Sequence, residues 1–396
     1  MEKLFEKFLM KIDNVPEGFT RYLMDRIDWT NRLIGIKGAR GTGKTTLILQ
    51  YAKRFLPIDH QSLYVSLDDL YFSENRLVDL VAEFVRKGGK YLLLDEVHRY
   101  SNWSSEIKNI YDDHPGLRII FTGSSIIHLN MAKADLSRRA VMYELTGLSF
   151  REYLNLINKL SFPVIKWDRI GIEHTSFARS VLKIVRPLEF FNEYLMTGYY
   201  PYFLENKPAY SQKLAETIDL ALNTDLSVST GVNYSTIEKL KQLLFIISQS
   251  VPFKPNVTKL GERIGVSRNS LVTYFKYLDG LRIIKRLYSS AGGIGVLQKP
   301  DKILMHHPNL QYALAYHDAE KGSIRESFFV NQTGYNQKVY YSQTGDFRID
   351  KTIFEIGGKN KSNRQTRNVP GSFIVSDDME IGMDNRIPLW LFGFLY

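Results

Sequence analysis

A chain of 396 residues, 44% hydrophobic and 24% charged, is too long for one small module and too apolar for wholesale disorder; at about 150 residues per domain it divides into two or three. Cysteine is absent, which excludes a disulfide framework, a thiolate metal site and a cysteine nucleophile. The net charge is +10, and most of it is local: residues 235–290 hold ten Lys and Arg against three Asp and Glu. A concentrated positive face of that kind is a candidate footprint for a phosphate backbone, whereas a diffuse excess only aids solubility.

The N-terminus, MEKLFEKFLMKIDN, carries charges through its apolar positions, and no apolar run approaches the roughly 18 residues that span a bilayer. A cytoplasmic protein with no membrane partner is expected. From Arg32, short apolar runs (RLIGIKG, SLYVSL, YLLLDEV, LRIIFTGSS, VMYEL) alternate with amphipathic stretches such as TTLILQYAKRF and RLVDLVAEFVRKGG. That alternation predicts βα units around a buried parallel sheet, an α/β domain over 32–145.

Between the first run and the first amphipathic stretch stands Gly38-Ala39-Arg40-Gly41-Thr42-Gly43-Lys44-Thr45, followed by Thr46. It fits the phosphate-loop pattern G-x(4)-G-K-[ST] in its required setting, after a strand and opening a helix. Glycines let the backbone curl so that N–H groups point inward at phosphate oxygens, and the helix N-terminus adds partial positive charge. Lys44 is expected to reach the β and γ phosphates of ATP, and the Thr45 hydroxyl to ligate Mg²⁺. The run Tyr91 to Glu96 ends in two carboxylates. Asp95 at the strand end suits the Mg²⁺ shell, and Glu96 suits the base that orients and deprotonates water. His98 carries no assignment.

After Leu145 the strand signals stop, and residues 150–225 read as helices. Residues 236–290 then give three helical segments and a strand, LRIIKRLYSS. The turn Gly265-Val266-Ser267 supplies a helix C-terminal glycine and an N-cap. This is the spacing of a winged helix-turn-helix, with Leu260, Ile264, Val266, Leu271, Tyr274 and Leu278 as its apolar stripe. Arg268, Asn269, Thr273 and Lys276 then become candidate contacts to double-stranded DNA, with Lys285 and Arg286 on the wing. From 291 onward, runs such as KVYYSQ and TIFEIGG predict a mixed α/β domain, and the tail LWLFGFLY a buried terminal element.

Residues 30 to 204 resemble the bacterial and archaeal AAA+ ATPases that carry a C-terminal domain of unknown function. The likeness runs through the phosphate loop, SLDD at Ser66 to Asp69, LLDEVH with Trp103 after it, FTGSS at Phe121 to Ser125, and LSRRAVMYELTGLSFREYL. It implies a sensor hydroxyl at Ser124 facing the γ-phosphate or the lytic water. It maps a Gly-Arg pair onto Arg138-Arg139, with Arg138 where the family has Gly. Arg139 is then the group that meets transition-state charge, within the subunit or across the interface of a homo-oligomer. The family's Gly-Gly-aromatic-Pro is altered to Gly198-Tyr199-Tyr200-Pro201.

The resemblance also implies a restriction-endonuclease-like C-terminal fold, with Asp350, Glu355 and Lys359 as a degenerate nuclease site. Gly357 stands where such enzymes place their Lys, so an inactive domain kept for packing or partner binding is the stronger expectation. Glu326 is expected near the same cluster or as a helix cap. The expected architecture is thus an AAA+ P-loop domain (1–148), a helical lid (149–234), a winged helix (235–290) and the nuclease-like domain (291–396). The leading expectation for function is an Mg²⁺-dependent ATPase coupling nucleotide state to DNA. The alternatives are a nucleotide-timed protein-interaction switch and an ATP-regulated, metal-dependent nuclease.

Overall fold

Leu4, Phe8 and Ile12 recur at helical spacing, and the N-terminal segment folds as helix α1 (Glu2–Asn14) with those three side chains buried. Sequence reading assigned this segment no element, although its apolar period was visible. The computed structural model describes residues 1–123, 136, 138–249, 253–289, 299–315, 319–361 and 369–396. These form two units, Met1–Gly147 and Leu148–Tyr396.

In the first unit the chain runs β1 (Leu33–Lys37), α2 (Lys44–Phe55), β2 (Ser62–Ser66), α3 (Leu77–Arg86), β3 (Tyr91–Asp95), α4 (Trp103–Asp113), β4 (Arg118–Gly123) and β5 (Val141–Glu144). The strands form one sheet in the order β2-β3-β4-β1-β5, and every pairing is parallel. The runs LLL of β3 and IIF of β4 are continuously apolar because helices cover both faces of a parallel sheet. Trp103, quoted above as part of the family likeness, is a core residue: 1% exposed, its ring 5.7 Å from that of Phe121.

This strand order positions the site. A parallel sheet brings all its strand C-termini to one edge, and ligands bind in the crevice where the order of strands reverses. Here β1 lies between β4 and β5, and β3 lies next to β4. The ends of β1, β3 and β4, at Lys37, Asp95 and Gly123, therefore converge on that edge.

The second unit begins with helices Phe150–Asn158, Trp167–Leu182, Pro187–Thr197 and Tyr210–Leu220. The first is started by a capping box, Ser149 accepting from the Glu152 N–H while the Glu152 carboxylate accepts from the Ser149 N–H. Helices Tyr234–Gln249, Val257–Ile264 and Arg268–Gly280 follow, then β6 (Ile284–Leu287), antiparallel to β7 (Lys302–Met305). Gly265 ends its helix at φ 70°, and the Ser267 side chain caps the next by accepting from the Ser270 N–H. Leu260, Ile264, Leu271, Tyr274 and Leu278 are buried, while Val266 is only partly so.

After helices Pro308–Ala315 and Lys321–Thr333, a second sheet has the order β12-β11-β10-β9-β8. Its strands are β8 (Val339–Tyr341), β9 (Phe347–Ile349), β10 (Thr352–Gly357), β11 (Phe373–Ser376) and β12 (Arg386–Pro388). The β8-β9-β10 part is antiparallel and the β10-β11-β12 part parallel. The apolar tail is buried along Leu389–Phe394, as its composition requires. Among the described residues, no helix is long and apolar enough to cross a membrane.

Candidate functional site

The loop between β1 and α2 takes its shape from its glycines. Gly41 (φ 76°) and Gly43 (φ 93°) lie in the left-handed region, and a Cβ on Gly38 would collide with the Leu145 carbonyl oxygen. Thr42 Oγ1 donates to the Ala39 carbonyl at 2.9 Å, closing the curl. Lys44 opens α2 at 4% exposure, its ammonium donating to the carbonyls of Gly38 (3.1 Å) and Ala39 (3.0 Å). Thr45 and Thr46 follow in the first turn, where backbone N–H groups have no partner within the helix. Ala39 and Arg40 are half-buried along the loop.

Asp95, at the end of β3, is 2% exposed. Its Oδ2 accepts from Thr45 Oγ1 at 2.6 Å and from the Tyr64 hydroxyl at 2.8 Å, and its Oδ1 accepts from the Thr122 hydroxyl. Sheet register explains the set. Ser66 of β2 pairs with Asp95, so Tyr64, two residues earlier, projects from the same face. On the other side Phe121 pairs with Leu94, which brings Thr122 opposite Asp95. Burial and the adjacent carboxylate push the Tyr64 phenol far above its ordinary pKa, so it stays a donor.

A hydroxyl and a carboxylate 2.6 Å apart at the mouth of a phosphate loop are the hard oxygen donors that Mg²⁺ takes alongside phosphate oxygens and water. Thr45 and Asp95 therefore fit that ion. It needs no all-protein cage, and among the described residues no group of three or more His, Asp or Glu is arranged as one.

Glu96 adopts a left-handed backbone (φ 50°, ψ 39°), uncommon for a residue with a Cβ. Its N–H donates to Asp95 Oδ1 at 3.1 Å and to Thr122 Oγ1 at 3.4 Å. Its carboxylate is 22% exposed and lies 3.4 Å from Nε2 of His98, whose ring is 3% exposed. Sequence reading passed over Tyr64, Thr122 and His98. A polar residue ending the buried run RIIFT was the available signal for Thr122. The sensor expectation had fallen instead on Ser124, which lies outside the described residues.

Arg21 was also missed. Only 5% exposed, it donates to the Thr42 carbonyl of the phosphate loop (2.5 Å) and to the carbonyls of Thr146 and Gly147 (2.9 Å each). A buried guanidinium thus ties the loop to the chain leaving β5. Arg139 sits at the surface in a two-pronged ion pair with Asp112 of α4, Nε to Oδ1 and Nη2 to Oδ2 both at 2.9 Å. That pair raises the Arg139 pKa and lowers that of Asp112. Arg138 is exposed.

In the second unit, Arg268, Asn269 and Lys276 are exposed, and Thr273, half-exposed, donates to the Asn269 carbonyl at 3.0 Å. Positions 269, 273 and 276 share one helix face by their i, i+4, i+7 spacing, and Arg268 flanks it at the helix start. Arg286 is tied back by Asp279, both prongs at 3.1 Å. Lys285 is half-buried.

The structure does not bring Asp350, Glu355 and Lys359 together. Asp350 occupies the β9-β10 turn at φ 51°, because Ile349 pairs with Thr352. Glu355 lies three residues beyond Thr352, about 10 Å along the strand from the turn. Lys359 is exposed beyond the end of β10, and it is Lys361 whose ammonium lies 3.3 Å from the buried Glu355 carboxylate. The acid beside Glu355 is Asp346: its N–H donates to the Phe354 carbonyl and its Oδ2 accepts from the Ile356 N–H at 2.7 Å. Glu326 lies on the helix Lys321–Thr333, paired with buried Lys302 at 2.5 Å, and burial raises its pKa.

Residues 30–154 match the family model described as AAA domain, and residues 188–320 match a domain of unknown function. No curated protein matches the chain. Among solved structures, a Walker-type ATPase of Pyrococcus abyssi is similar at 12% identity and a TM-score of 0.41, covering 79% of this chain and 95% of its own. The Aeropyrum pernix ORC1 protein in complex with DNA is similar at 13% identity and 0.33, covering 79% and 92%. PCH-2 of C. elegans is similar at 21% and 0.27, covering 41% and 52%.

Proposed function

We propose that the chain, whose residues 30–154 match the AAA domain family model, is an Mg²⁺-dependent ATPase that couples nucleotide state to DNA through residues 235–290. The observation that carries the ATPase reading is the 2.6 Å bond between Thr45 and Asp95, two residues fifty positions apart at the mouth of the phosphate loop. In this reading residues Gly38 to Thr46 cradle the phosphates with backbone N–H groups, and Lys44 turns from the Gly38 and Ala39 carbonyls to the β and γ oxygens. Thr45 and Asp95 hold Mg²⁺, which when bound neutralises charge on the phosphates. Glu96 orients water and takes its proton.

Arg139 is the proposed cation for transition-state charge, and it must leave Asp112 to act. The hydroxyl of Thr122, already against Asp95, supports a polar role at the end of β4; Ser124 keeps its proposed sensor role on the family likeness alone. For the C-terminal domain, the β8-β9-β10 meander followed by parallel strands supports a nuclease-like fold. No cleavage is proposed: Glu355 and Glu326 are each engaged by a lysine, and Asp350 is remote.

The exposed face of Arg268, Asn269, Thr273 and Lys276, within the segment that carries most of the charge excess, supports the DNA reading. Replacing Arg268 and Lys276 together by Ala is expected to flatten the log–log salt dependence of duplex binding by about two units, since each cation displaces about one counterion. ATPase activity without DNA should persist. An unchanged slope in fluorescence-anisotropy titrations would remove DNA from this face and favour the protein-interaction switch.

A further inference from the structure

The chemical step assigned to Glu96 needs its carboxylate aimed at one point, because a general base must come within about 2.6–3.2 Å of the oxygen whose proton it takes. A glutamate side chain free to rotate meets that condition only part of the time. The structure supplies a partner that restricts it. His98 belongs to a short 3₁₀ turn (Val97–Arg99) closed by the bonds Arg99 N–H to the Glu96 carbonyl (2.9 Å) and Tyr100 N–H to the Val97 carbonyl (3.1 Å). Val97 anchors this turn in the core at 0% exposure. The ring of His98 is 3% exposed and the Glu96 carboxylate 22%, so the ring is the fixed member of the pair and the carboxylate the one with room to move.

We infer that His98 is a positioning residue for ATP hydrolysis, holding Glu96 Oε2 through Nε2 so that the other carboxylate oxygen is presented to water. The contact is 3.4 Å and joins residues two apart across a turn that the core fixes. Glu96 is independently constrained at its backbone, in the left-handed conformation with its N–H on Asp95 Oδ1. With the backbone fixed at one end and Oε2 held at the other, little rotational freedom remains in the chain between. His98 touches neither phosphate nor water in this scheme and acts only through Glu96.

The inference rests on the reading of Glu96 as base, and the experiment separates the two. Turnover and the affinity for a non-hydrolysable ATP analogue are measured for His98→Ala, His98→Gln, Glu96→Gln and the double variant Glu96→Gln/His98→Ala. His98→Ala is expected to lower kcat about 10- to 100-fold, the scale of a misplaced catalytic group, with analogue affinity within about threefold of wild type. His98→Gln, whose amide nitrogen reaches where Nε2 does, should recover most of the rate. On the Glu96→Gln background His98→Ala should cost nothing further, because the group it positions is gone.

A readout independent of activity is the ¹⁵N spectrum of the histidine rings in the full chain without nucleotide. There the His98 signals should move in Glu96→Gln while those of the other seven histidines hold. Normal turnover in Glu96→Gln would overturn the base itself. A slowed Glu96→Gln with additive loss in the double variant, with parallel loss of affinity in His98→Ala, or with unmoved His98 signals would overturn His98 alone.

Discussion

Lys44→Ala lowers ATP affinity by about 100-fold or more in an equilibrium titration. Without nucleotide the ammonium is already delivered to the loop, 3.1 Å from the Gly38 carbonyl and 3.0 Å from that of Ala39. Exchanging these neutral acceptors for anionic phosphate oxygens converts ordinary bonds into charge-assisted ones. Hydrogen bonds to charged groups contribute about 1.5–3 kcal/mol each, so losing the donor costs at least about 3 kcal/mol, which is two orders of magnitude in affinity. The fold should survive, since alanine is a good helix former at the start of α2. Affinity within threefold of wild type would remove Lys44 from the phosphate site.

Glu96→Gln gives the opposite pattern: kcat falls about 10²- to 10³-fold while ATP affinity stays within about threefold. The substitution keeps shape and backbone conformation, and the N–H bonds to Asp95 and Thr122 do not involve the side chain. Only the proton acceptor is lost, so bound ATP should accumulate and persist. Parallel loss of binding and turnover would instead make Glu96 a ligand of Mg²⁺ or phosphate.

Much of this was legible in the sequence because it depended on local pattern. Gly38 to Thr45 defines its own loop, and YLLLDE defines a buried strand with acids at its end, so Lys44, Thr45 and Asp95 follow from short segments. The caps at Gly265 and Ser267 are equally local. What escaped required register or long-range packing. Thr122 meets Asp95 because β4 pairs with β3 one step past Leu94, and no spacing within β4 states that register. Arg21 reaches Thr42 and Gly147 across 21 and 126 residues. His98 is an unremarkable residue until the turn folds its ring against Glu96.

The C-terminal domain shows the same limit from the other side. The family resemblance implied a shared site for Asp350 and Glu355; the hairpin register separates them and puts Asp346 beside Glu355 instead. Lys359 fails for a related reason, because the chain leaves β10 at Gly357 and it is Lys361 that returns to the carboxylate. Arg139 is intermediate. Its place beside β5 was readable, but its engagement by Asp112 was not.

ATP turnover in Mg²⁺, measured at low salt with and without saturating duplex DNA, tests the coupling of nucleotide state to DNA most directly. The expected result is turnover that requires Mg²⁺ and rises several-fold with duplex, the rise being lost when Arg268 and Lys276 are both replaced by Ala. Equal turnover with and without duplex at concentrations that saturate binding would contradict it.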